Sequence, residues 1–373
     1  MAWTVKRDSG KWQGKYRDRE GKERSAGTFS TRKAARDAAT LAETGPDRST
    51  ITWGAWTTQW WPTRSVEPST IDTEKRLLRK HIEPKWAKVR LADITRHEVQ
   101  AWATGLAEDP HNLAPGSARR VLGIFVSSLS GAIDAGLLDS NPAVRIKMPP
   151  APQGREVFLT HEQFDLLLDK IPHQSDAALV LFLASTGLRW GEAAGLHWHN
   201  LDTERGIVTV SDTLSLGEIK PYPKGRRQRH VPVFDWVTKS IERPAEIAPC
   251  KVPHREGKCR SGLVFPNADG KARDDRNFSR RVLAPALKEA KLAKLGVTLH
   301  DLRHTYASWL VQGGVSLERI ADLLGHASLT TTQIYAHLAP AKHDELENAL
   351  RPKRVANGSQ TSKTPQYSGL RAV

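Results

Sequence analysis

The stretch MPPAPQGRE, residues 148–156, constrains the fold more than any other segment. Three of its first five residues are prolines, which fix φ, supply no amide hydrogen and disfavour helix in the residue before them. Neither a helix nor a sheet strand can run through it, so the chain must build its structure in separate pieces on either side. A length of 373 residues allows this, at roughly 100–200 residues per domain. The 39% of hydrophobic residues suffices for real cores and excludes a wholly disordered chain.

Charge indicates what those pieces act on. Lysine and arginine number 56 against 41 acids, a formal net charge of +15. Such an excess draws polyanions, with nucleic acid foremost. It is not confined to one tail, since residues 1–48 alone hold 12 basic and 7 acidic side chains. No run reaches the roughly 18–20 apolar residues that span a bilayer, so no membrane partner is expected. The N-terminus, MAWTVKRDSGKWQGKYRDRE, lacks the apolar stretch of a secretory signal. Cys250 and Cys259 are too few for a disulfide framework, which fits a reducing cytoplasm.

Residues 1–48 place Trp3, Val5, Trp12, Tyr16 and Phe29 between the turn pairs Ser9-Gly10 and Glu20-Gly21, the pattern of a three-stranded meander. A helix follows, with Ser30 as its expected N-cap. Residues 49–147 read as an all-α bundle of about four helices. Trp53, Trp56 and Trp60 share a helix face, and Ser69 with Asp72 and Thr95 with Glu98 have capping-box spacing. Val121, Leu122, Phe125, Leu129 and Ile133 stripe a long helix from Ser117 to Ala135. After the linker, 157–350 read as mainly helical with a small antiparallel sheet. Thr160 and Gln163 cap its first helix, 175–186 form an apolar second, and helices dominate to about Leu350. The strands, 206–212 and 229–234, flank a basic turn. Residues 351–373 are a polar, mobile tail.

Four elements of this last piece carry unusual chemistry. Arg189 follows Thr186-Gly187-Leu188, a break before a fresh helix containing Glu192, where an arginine can reach into a cleft. His300, Arg303 and His304 fall within one helical turn, so imidazole and guanidinium can meet one anion. Gly325 can end the helix before it and leave His326 on the turn, with Tyr335 nine residues further on. The turn KPYPKGRRQRHVP, 220–232, holds Lys220, Lys224, Arg226, Arg227 and Arg229 and no acid, which suits a phosphate backbone. Each element alone is common in structural roles. Together they suit phosphodiester transfer: guanidiniums hold non-bridging oxygens, a tyrosine attacks phosphorus, and lysine or histidine manages the protons.

Thr186-Gly187-Leu188-Arg189-Trp190-Gly191-Glu192, His300-Asp301-Leu302-Arg303-His304, and Leu324-Gly325-His326 with Tyr335 resemble the three signature boxes of tyrosine recombinases, the phage integrases and their relatives. The resemblance covers residues 155–350. It implies the DNA breaking-rejoining fold, Tyr335 as nucleophile and Arg189 with Arg303 as phosphate clamp. His300 would accept or orient the tyrosine proton, and His326 would bond the scissile phosphate. Glu192 would support the first box, and His304 the fold. Lys224 would protonate the leaving 5′-oxygen, with Lys220 the neighbouring alternative.

By the same resemblance, residues 1–48 correspond to an arm-type DNA-binding domain and 49–147 to the core-site-binding domain. Members that only resolve chromosome dimers usually lack the former. The implied activity is integration and excision of a phage or other mobile element through a 3′-phosphotyrosyl intermediate and a Holliday junction. Double-stranded attachment sites, a homotetramer, a host DNA-bending protein and an excisionase are the implied partners, in a bacterial cytoplasm. A non-catalytic DNA-binding regulator and a type IB topoisomerase-like enzyme are the alternatives. No cofactor or metal is expected: the implied phosphotyrosyl chemistry needs no metal, and no ATP because the link retains the bond energy. CKVPHREGKC, 250–259, sets two cysteines and His254 in one loop, with His230 nearby in the chain. A zinc site would want four ligands at tighter spacing, so a plain surface loop is expected.

Overall fold

The structure, a computed structural model, describes residues 2–17, 21–44, 50–150 and 156–340. It divides into two compact units, Met1–Arg155 and Glu156–Val373, at the end of the proline-rich segment. The expectations for 151–155, for 341–350 and for the tail lie outside the described residues.

The first unit opens with β1 (Trp3–Lys6), β2 (Trp12–Arg17) and β3 (Glu23–Phe29), an antiparallel sheet in that order. Helix α1 (Arg32–Thr44) lies close on Gly14, where a Cβ would sit 2.3 Å from the Ala35 carbonyl oxygen. Thr31, not Ser30, caps α1: its Oγ1 accepts from Ala34 N at 3.2 Å, three residues on, as the cap geometry demands.

The bundle comprises four helical stretches. They are α2 (Trp53–Trp60), α3 (Pro68–Leu77) continued through a π turn (Leu78–Ile82) into α4 (Glu83–Trp86), α5 (Arg96–Gly105) and α6 (Pro115–Asp134). The Thr95–Glu98 capping box is present. Ser69 and Asp72 form none. Pro68 occupies the first helical position, where its missing amide hydrogen costs little, and Ser69 falls inside the turn. Phe125 is the centre of the core, with the rings of Trp53, Trp86 and Trp102 at 5.5, 4.9 and 5.1 Å. Two of the buried indoles find acceptors on one residue: Trp53 Nε1 donates to Ser128 Oγ and Trp56 Nε1 to Ser128 O, at 2.9 and 2.7 Å.

The second unit starts with α7 (His161–Asp169), capped by Thr160 and Gln163, then α8 (Gln174–Thr186) and the short α9 (Trp190–Ala194). Strands β4 (Leu201–Asp202), β5 (Ile207–Val210), β6 (Thr213–Ser215), β7 (Glu218–Lys220) and β8 (Arg229–Pro232) follow. They form two sheets, β4-β5-β8 and β6-β7. The basic segment is therefore no tight turn between two strands. A second hairpin is inserted first, and residues 221–228 connect it to β8.

After the single turn α10 (Asp235–Thr238), residues 239–274 form neither helix nor strand, which corrects the expectation of helices there. Val264 and Phe265 of this segment join the main core, while Val252 and Leu263 pack on Ile219 in a small separate cluster. Helices resume with α11 (Asp275–Phe278), a π turn (Ser279–Leu283), α12 (Ala284–Glu289), α13 (Asp301–Gln312) and α14 (Leu317–Leu324). Two 3-10 turns, Leu329–Thr331 and Gln333–Leu338, follow. The main core joins α7, α8, the larger sheet, α12 and α13. A smaller one, including Tyr306, Val311, Ile320, Leu324 and Tyr335, holds the last turns on α13 and α14.

Candidate active site

Helix ends build the site. At the end of α8, Gly187 has φ +63°, and a Cβ there would lie 2.3 Å from the Tyr306 ring. Glycine permits both the left-handed turn and that approach. Its carbonyl accepts from Arg303 Nη1 at 2.6 Å. α14 also stops at a left-handed glycine, Gly325, and Leu324 O accepts from Arg303 Nη2 at 2.6 Å. Arg303, buried on α13, thus spans two carbonyls that their own helices leave unbonded.

Arg189 caps α9, with Glu192 at the third position. The buried Glu192 carboxylate accepts from Arg189 N and Nη1 at 2.9 and 3.0 Å. It also accepts from Arg229 Nη1 and Nη2 at 3.1 and 2.6 Å. Arg229 Nε donates to Leu323 O at 2.9 Å. The expectation that Arg229 grips DNA is corrected: as the first residue of β8 it points inward, and its donors are occupied by Glu192 and a helix end. Lys220, closing β7, is buried and likewise leaves the expected surface. Lys224, Arg226 and Arg227 stand exposed on the 221–228 connection, so Lys224 is on that loop and not in the Glu192 cluster.

Burial, and then the fields of Arg303, Arg189 and Arg229, push the His326 imidazole down to about 4, so it is neutral at pH 7. Its Nδ1 meets Thr332 Oγ1 at 2.8 Å. A neutral ring accepting there offers Nε2–H as a donor. Burial also holds His300 and His304 below the ordinary imidazole range. Their rings meet edge to face at 5.0 Å, and His304 Nδ1 lies 2.5 Å from the Tyr335 hydroxyl. Sequence reasoning gave that contact to His300 and left His304 to the fold. The signal was available, because positions 300 and 304 share one helix face. Tyr335 is 2% exposed, and burial pushes its hydroxyl up to about 12, with Arg303 acting in the opposite sense. Ionising it at neutral pH requires a base.

With the three imidazoles neutral, the guanidiniums of Arg189, Arg229 and Arg303 face one carboxylate, Glu192. Two positive charges are left over, an arrangement that attracts a phosphate. Among the described residues, the one grouping of metal-ligating side chains, His197, Cys250, His254 and Cys259, shares no member with this cluster.

A helical unit with a small antiparallel sheet and this Arg–His–Tyr cluster defines a class of enzyme, and the chain belongs to the phage integrase family. Residues 157–342 match the model described as "Phage integrase family", and residues 52–107 match "Phage integrase, N-terminal SAM-like domain". More particularly, it is a tyrosine recombinase, an enzyme of site-specific DNA recombination; the regulator and topoisomerase readings are not favoured. Tyrosine recombinase XerD of Mycobacterium leprae (strain TN) is 32% identical over 293 residues, covering 73% of this chain and 87% of that protein. Among solved structures, the Tn1549 transposon integrase in complex with a circular intermediate DNA has a TM-score of 0.67 at 20% identity, covering 80% of this chain and 99% of that one. A lambda integrase tetramer bound to a Holliday junction has a TM-score of 0.58 at 18% identity, covering 90% and 94%. No helix among the described residues is long and apolar enough to cross a membrane.

Proposed function

We propose that this recombinase cleaves DNA through Tyr335, with Arg189 and Arg303 clamping the scissile phosphate. The observation that carries this reading is the Tyr335 hydroxyl 2.5 Å from an imidazole, beside a buried cluster with two surplus positive charges. His304 receives the phenolic proton as the tyrosine oxygen bonds to phosphorus, and His300 backs it. His326 donates Nε2–H to a non-bridging oxygen, and Glu192 and Arg229 hold Arg189 in position. The 5′-oxygen leaves with a proton supplied by Lys224, whose exposed loop, with Arg226 and Arg227, can follow the DNA backbone. Stabilising the charge on phosphorus before bond cleavage is the larger part of such catalysis.

Residues 1–48, basic and sheet-forming, bind arm-type sites. Residues 49–147 bind the core site, and the catalytic domain runs from 157 to about 350. Four protomers act on paired attachment sites through a Holliday junction, as the tetrameric arrangement of the lambda relative suggests, to integrate and excise a mobile element. A host DNA-bending protein and an excisionase would set direction. The decisive experiment is Tyr335→Phe on nicked suicide substrates. The wild-type chain should give a covalent protein–DNA complex and the variant none; a covalent complex with the variant sinks the assignment.

A further inference from the structure

Residues 239–274 form a long segment without helix or strand. Val264 and Phe265 tie its later part into the main core, but the cysteine-bearing part packs only on the small cluster of Ile219, Val252 and Leu263. Such a segment needs another source of order. Four side chains converge on it: Cys250 and Cys259 from the loop itself, His254 between them, and His197 from the turn after α9. Their ligand atoms all lie within 4.8 Å of one another. We propose that they form a structural zinc site of the Cys2His2 type, holding this insertion against the β6-β7 hairpin.

The distances fit one ion at the centre. With Zn–N near 2.05 Å and Zn–S near 2.3 Å, a tetrahedron has edges of about 3.3 Å for N–N, 3.6 Å for N–S and 3.8 Å for S–S. Here His197 Nε2 and His254 Nε2 are 3.3 Å apart, and Cys250 Sγ is 3.5 Å from His197 Nε2 and 4.0 Å from His254 Nε2. The sulfurs are 3.3 Å apart, well beyond the roughly 2.05 Å of a disulfide. Both rings turn Nε2 inward, and His254 Nδ1 lies 2.9 Å from Val252 O, the kind of contact by which proteins fix the tautomer of a metal-bound histidine. Among the described residues His197 Nδ1 makes no hydrogen bond; the nearest carboxylate oxygen, Asp212 Oδ2, is 3.9 Å away.

The expectation of a plain surface loop is thereby revised. Sequence reasoning considered His230, but that ring sits on β8 beside Thr209, and the fourth ligand is His197, more than fifty residues before the cysteines. Strand pairing brings it in: His197 bridges Leu263, and His254 bridges Ile219. The loop is also sewn to β7, with Ile219 N donating to Pro253 O at 2.8 Å and Arg255 N to Ile219 O at 2.9 Å. Arg255 reaches Tyr222 Oη at 3.0 Å, at the start of the basic connection that carries Lys224. The ion would thus fix the base of that connection.

The test is metal analysis of the full chain, purified under reducing conditions without chelator or metal resin. About one zinc per chain is expected, and cobalt(II) in its place should give the intense visible absorption of a tetrahedral thiolate site. Cys259→Ser and His254→Ala should each lower bound zinc at least tenfold. The cobalt spectrum needs no variant, so a misfolded substitution leaves the proposal testable. A reduced wild-type chain that takes up neither metal overturns it, as does a native Cys250–Cys259 disulfide or full zinc retention in Cys259→Ser.

Discussion

Replacing Glu192 with glutamine removes the one negative charge among three guanidiniums while keeping the side chain's shape. Glu192 Oε1 and Oε2 each accept two hydrogen bonds, from Arg189 and from Arg229. Glutamine keeps one oxygen and turns an amide toward two donors, so two charge-assisted bonds are lost. At roughly 1.5–3 kcal/mol for a bond to a charged group, the loss is about 3–6 kcal/mol, close to the cost of breaking a buried ion pair. For a unit of this size, about 2–4 °C per kcal/mol puts the thermal midpoint of its calorimetric transition down by roughly 10 °C. The pH dependence follows in sign. Burial alone would raise the Glu192 pKa, but Arg229 and then Arg189 hold it below the usual range. Its contribution is therefore complete above about pH 4.3, the ordinary value, and is lost as pH falls through the lowered one. The variant should lose that part of the acid sensitivity. A midpoint within about 2 °C of wild type would refute the reasoning. So would a double-mutant cycle with Arg229→Met whose coupling energy is near zero.

Further outcomes follow from the same geometry. Gly187→Ala puts a Cβ 2.3 Å from the Tyr306 ring in a left-handed backbone, and should destabilise the second unit by about 2–4 kcal/mol in urea unfolding. If His304 takes the Tyr335 proton, its lowered pKa means that the single-turnover cleavage rate, at saturating DNA, should hold as pH drops to about 6.5 and fall only below that value. His304→Gln should slow cleavage by about a hundredfold or more without weakening DNA binding. Deleting residues 1–48 should abolish arm-site binding in gel shifts while leaving core-site cleavage intact.

Local rules carried far into this fold. The Thr95–Glu98 and Thr160–Gln163 boxes, the tryptophan face and the meander were all legible, because each depends on neighbours within a few residues. The family boxes placed Arg189, Glu192, Arg303, His326 and Tyr335 in one unit, where packing brings them together. What escaped depends on tertiary register. Arg229 looks like its basic neighbours in sequence, and only the pairing of β8 with β5 turns it onto Glu192. Pro68 overrode a plausible cap at Ser69. The 239–274 segment has too little apolar pattern to announce its irregular path, and nothing local links His197 to Cys250.

Arg303 is held by the blunt ends of two helices and not by a carboxylate. Each helix end carries a partial negative charge of about half an electron, enough to orient the guanidinium and too little to compete for it. A carboxylate partner would have to be shed when a phosphate arrives and recaptured when it leaves. A backbone end stays in place through both events. If Arg303 clamps the scissile phosphate as proposed, strand cleavage and strand rejoining would then meet the same guanidinium in the same position, as befits a reaction that must run in either direction.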